Sequence, residues 1–124
     1  MTEYKGMPTK TFVSKVVNQL LNGTPIPKAV KVKVVTSEAG EYELSIAHKE
    51  KTEELTQAPF YKGVIFRAND ITDEARTYSK AYLVDEDGDN IVEVGTNETK
   101  DEGYIAIFEF EFIAEFEAVC HEAL

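Results

Sequence analysis

Few side chains in this sequence are of types and at spacings that do chemistry. Asp85, Asp87 and Asp89 alternate over five positions, and clustered carboxylates suit a hard cation. The calcium loop with acids at its first, third and fifth positions carries glycine at the sixth. Here Gly88 falls between the second and third acids, so the segment reads as a hairpin turn. Cys120 and His121 are adjacent, and neighbours on a strand point to opposite faces, which forbids a nucleophile–base pair there. His48 reads as a core-edge residue, and with Cys120 it would supply too few ligands for a structural zinc site. No serine lies in an elbow motif and no glycine loop has phosphate-binding spacing. The remaining candidates are Glu109, Glu111, Glu115 and Glu117, carboxylates on one face of the closing stretch. Their expected role is the solvent side of an outer strand, where like charge blocks strand-to-strand aggregation. No catalytic residue, metal or cofactor is expected, and the chain reads as a non-enzyme.

The closing stretch, GYIAIFEFEFIAEFEAVCHEAL, positions those carboxylates. Tyr104, Ala106, Phe108, Phe110, Phe112, Ala114 and Phe116 recur at every second position, opposite Ile105, Ile107, Glu109, Glu111, Ile113, Glu115 and Glu117. That is the period of a strand, and its aromatic stripe is expected to be the spine of the core. A straight strand over residues 104–120 would span about 55 Å, against a diameter of about 35 Å for a domain of this size, so it must bend, project or stop. The strand is expected to reach Ile113 and run toward Glu117, with the last seven residues open to strand or helix. A projecting end would meet a partner through Glu109, Glu111, Ile113, Glu115, Phe116 and Glu117.

Upstream, residues 1–8 show no periodicity and read as a loose arm of a single 124-residue domain. A threonine cap at Thr9 or Thr11 opens an amphipathic helix that stops at Asn22–Gly23, with Val13, Val16, Val17, Leu20 and Leu21 as its apolar face. Alternation over 30–34 and 42–46 around a turn at 37–40 gives a hairpin. Residues 49–58 read as one helical turn or a loop, and 60–67 as a strand with a bulge or bend at Gly63. A turn or one helical turn follows near Thr72, then a second hairpin from Tyr78 to Val94 and a polar loop at 95–101. The expected fold is α+β: an antiparallel sheet of about five to six strands, with the N-terminal helix packed on one face.

Charge is uneven. Residues 1–51 carry eight Lys and five Glu, whereas 52–124 carry five Lys plus Arg and eighteen Asp plus Glu, giving the net −10. Such a field disfavours nucleic acid and anionic lipid as partners. One cysteine and no apolar run of membrane-spanning length point to a cytoplasmic protein.

Residues 63–95, GVIFRANDITDEARTYSKAYLVDEDGDNIVEVG, resemble the central part of the N-terminal module of phage tail-collar and tail-fibre proteins. The shared features are a threonine–acid turn, a strand, an acidic hairpin and a return strand, with a leading helix and a closing strand around them. The sequence carries TSEAG at 36–40 where that family has a glycine-aspartate-glycine signature. The resemblance implies a structural role in a prophage tail or baseplate, a virion location, and association with itself or with neighbouring proteins. Two other readings follow from the residues: a small-ligand domain with an aromatic pocket between helix and sheet, and an acidic inhibitor imitating nucleic acid.

Overall fold

The computed structural model describes residues 3–51, 62–114 and 120–121. Seven strands and one helix follow in the order β1 (Gly6–Pro8), α1 (Lys10–Asn22), β2 (Ala29–Thr36), β3 (Gly40–Lys51), β4 (Lys62–Asp70), β5 (Arg76–Asp85), β6 (Asn90–Lys100) and β7 (Ala106–Ala114). They form one sheet in the spatial order β1-β6-β5-β2-β3-β4-β7, with every neighbouring pair antiparallel. The α+β class therefore holds, with seven strands rather than five to six. The added strand, β1, falls in the stretch expected to be a loose arm. It pairs with β6 from Gly6 opposite Val94 to Pro8 opposite Val92. Gly6 is required there, because a Cβ would lie 2.4 Å from a Val94 methyl and 2.8 Å from the Glu93 carbonyl.

Alternation puts apolar rows on one face of the sheet. Pro8, Val92, Leu83, Val32 and Leu44 stand opposite one another across five strands, and Gly6, Val94, Ala81, Val34 and Tyr42 form the next row. These rows hold most of the buried core, with Val32 and Val34 fully enclosed. On the other face, Lys31 pairs with Glu43 at 2.7 Å, Lys33 with Glu41 at 3.1 Å and Lys80 with Glu93 at 2.9 Å.

β3 is shared. Its first half, to Ser45, pairs with β2, and from Ile46 onward it pairs with β4, with a register shift between Ile46 and His48. No bulge interrupts β4 at Gly63, since the strand runs in unbroken register with β7 from Lys62 to Asp70. The β4–β7 wing lies over the core, with Phe66, Phe108 and Phe110 packed against it. Tyr78 on β5 and Phe108 on β7 lie four strand positions apart, about 19 Å in a flat sheet. Their ring centroids are 4.9 Å apart in an edge-to-face contact, so the sheet curls until its wing meets its middle.

Among the described strands β7 is therefore the edge of the sheet, and it is not the spine of the core. Phe108 and Phe110 are half-buried against a core built by β2, β5 and β6. The expected polar loop at 95–101 is mostly strand, because β6 continues to Lys100. Of the segment expected as a helical turn or loop, Lys49–Lys51 belong to β3. Residues 52–58 lie outside the described residues, as do Phe60 and Tyr61.

Candidate functional site

Three places bring chemically interesting groups together. The first is the β5–β6 turn. One carboxylate oxygen of Asp85 accepts from the backbone N–H groups of Asp87 at 2.9 Å and Asp89 at 3.0 Å, which closes the turn. Its other oxygen accepts from the Lys15 ammonium of α1 at 2.7 Å, and Lys15 also reaches Asp89 at 2.8 Å and Asp87 at 3.2 Å. The carboxylate oxygens lie within 4.8 Å of one another, a spacing a metal ion would also accept. Here the ammonium holds the cation's place and ties the helix to the sheet. Burial pushes the Asp85 carboxyl upward, but Lys15 and the two backbone donors outweigh it and hold it below the usual carboxylate range. Lys15 is raised well above its ordinary value, chiefly by hydrogen bonds to Asp85 and Asp89.

The second is Asp70, buried at the end of β4. The Tyr78 hydroxyl donates to it at 2.7 Å, the Tyr42 hydroxyl donates to the same oxygen, and the Thr72 N–H reaches its other oxygen at 3.3 Å. Burial raises the Asp70 carboxyl, and these donors with the nearby Lys100 charge bring it below its ordinary value. Lys100 is itself buried and donates to the carbonyls of Thr72, at 2.6 Å, and Glu74. Burial and Asp70 together raise the Tyr78 hydroxyl far above the usual phenol value. A tyrosine held protonated and a carboxylate held ionised do not exchange protons near neutrality, so this network braces the 71–75 turn under the curled sheet. Tyr42 and Tyr78, candidates for an aromatic pocket, spend their hydroxyls on this brace, and Tyr4 donates to Glu98 at 2.8 Å.

The third is the exposed apolar surface of α1. Thr9 caps the helix, accepting from the Phe12 N–H at 3.2 Å, and its hydroxyl donates to the Asn90 carbonyl. Gly23, at φ 70°, ends it. Phe12 packs against the core and Lys15 holds the aspartates, yet no residue of the helix is buried. At roughly 100° per residue, the side facing the sheet is that of Phe12, Lys15 and Val16. Leu20, Val13, Val17 and Leu21 form a strip centred roughly 130° round the axis. They are 81%, 49%, 46% and 74% exposed, so most of the face expected to pack on the sheet points outward.

Among the residues expected to meet a partner, Glu109 and Glu111 are exposed on β7. Glu109 pairs with Arg67 of β4 at 2.7 Å. Ile113 stands opposite Gly63 in the sheet. Glu115, Phe116 and Glu117 lie outside the described residues. Cys120 and His121 are exposed, and His48 pairs with Glu50 at 2.9 Å on the surface. Neither the Lys15 latch nor the Asp70 brace is expected from sequence; an aspartate at every second position beside a turn is the only local signal for the first. Among the described residues no helix is long and apolar enough to cross a membrane. No family model, curated protein or solved structure matches the chain.

Proposed function

We propose that this chain is a non-enzymatic structural or interaction protein that works by associating with itself or with a partner protein. The observation that carries this reading is the aliphatic strip of α1, which the protein's own core leaves in water. Exposed apolar residues at helical spacing, free of acid, are a surface that association would cover. The polar clusters support the same reading from the other side, since each is consumed in bracing the fold. The prophage tail or baseplate setting rests on the resemblance of residues 63–95 and carries a further expectation, that the gene lies among tail genes.

The acidic-inhibitor reading fares less well. Glu41, Glu43, Glu93 and Glu109 each have a basic partner on a neighbouring strand, and three aspartates share Lys15. Carboxylates neutralised one by one do not imitate a phosphate backbone. Light scattering over a concentration series tests the proposal. A mass that rises with concentration is expected, and a strict monomer at the highest concentration, with no partner retained from the native host, would contradict it.

A further inference from the structure

We infer that the occupant of the α1 strip is a second copy of the same strip, the two helices running antiparallel about a two-fold axis near Val17. This rests on the association proposed above and names its partner and geometry.

Self-complementarity is the first support. Val13, Val17 and Leu20 are spaced i, i+4 and i+7, the seam of a helix pair, and Leu21 widens it. The helix contains no acid at all, so two copies bring no carboxylates together across the seam. An isologous contact also closes on itself and needs no second surface.

Charge fixes the direction. By the same helical wheel, Lys10 falls on the strip at its N-terminal end, where its charge opposes the positive end of the helix dipole. No acidic residue in the first turn relieves it, and no basic residue in the last turn serves the unpaired carbonyls there. Antiparallel pairing answers both deficits, because residue pairs sum to about 34 and Lys10 then reaches the last turn of the other copy. Parallel pairing would instead set Lys10 against Lys10.

Area fixes the strength. A fully exposed aliphatic side chain offers about 100 Å², so the four exposed residues present roughly 250 Å² per copy. Two copies bring about 500 Å² together, below the roughly 1,200 Å² total of a standard stable interface, and the dimer is a weak and reversible one.

Cysteine cross-linking on a Cys120→Ser background tests the geometry, since the three positions needed are all exposed and their replacement leaves the core intact. Under mild oxidation, Val17→Cys is expected to form a disulfide with its own copy. Val13→Cys is expected to link efficiently to Leu20→Cys in a mixture and poorly to itself. Self-linking of Val13→Cys and of Leu20→Cys, without the mixed product, would overturn the antiparallel arrangement. No link at any of these positions, while the native chain still associates in light scattering, would overturn the helix interface and leave the proposed function standing. A native chain that never associates would overturn both.

Discussion

The outward strip of α1 and the outward side of β7 are both left uncovered, and they are built in opposite ways. On the helix, Val13, Val17, Leu20 and Leu21 stand together without an acid among them. On β7 and just before it, Ile105 and Ile107, 60% and 65% exposed, are followed on the same side by Glu109 and Glu111. The backbone explains the difference. A helix satisfies its own N–H and C=O groups, so contact through its side chains is limited and closes after two copies. An edge strand presents unpaired backbone groups, and contact there propagates from chain to chain. Carboxylates therefore stand where association would run away, and are missing where it is self-limiting.

The largest expected effect breaks the helix side of that contrast. Val17→Glu places like charges against each other at the two-fold axis and is expected to weaken association by about a hundredfold or more, with no loss of thermal stability. An equal loss from Glu111→Gln would instead make β7 the interface. The second effect concerns what keeps β7 in place behind its acidic side. Phe108→Ala removes the edge-to-face contact with Tyr78 and is expected to cost about 2–3 kcal/mol in chemical denaturation. A cost below 1 kcal/mol would mean that the wing is held by its strand pairing alone.

Acid separates the two anchors next. Asp85 and Asp70 both have carboxyls held below the unfolded value of about 3.9. The stability each contributes is present above that value and is lost as pH falls through it toward the lower folded values. Lys15, whose folded value is raised, remains charged throughout this range. Below about pH 4 protection against amide exchange is expected to fall in α1 before β4 and β7, because in the Lys15 latch Asp87 is exposed and Asp89 half-buried, whereas Asp70 in its brace is buried. Simultaneous loss would show one cooperative unit. The smallest effect is that of salt. Copies carrying a net −10 repel, so raising ionic strength is expected to strengthen an uncharged helix contact a few-fold. Weakening by salt would point to a charged interface.

Much of the fold was legible because its signals are local. Thr9, the Asn22–Gly23 stop, and the alternation on either side of 37–40 and of Gly88 each specify an element from a few neighbouring residues. What was not legible depends on distant partners. By hydropathy the aliphatic face of α1 is its docking face, but Lys15 is claimed by aspartates about seventy residues away, and the strip faces outward. Periodicity marked the two faces of β7 without saying that it lies at the sheet's edge. The second half of β6 has the composition of a loop because Thr96, Glu98 and Lys100 are polar. Each is used by a hydrogen bond to Tyr78, Tyr4 or Thr72, which hydropathy does not register. Asp70 carries no local signal either, because its two tyrosines come from other strands.

The contrast between the two surfaces is tested most directly by following backbone amide resonances of the native chain through a dilution series. Concentration-dependent shifts are expected at Val13, Val17, Leu20 and Leu21, with Ile107, Glu109 and Glu111 unmoved. Shifts confined to β7, or none at any concentration, would contradict the account.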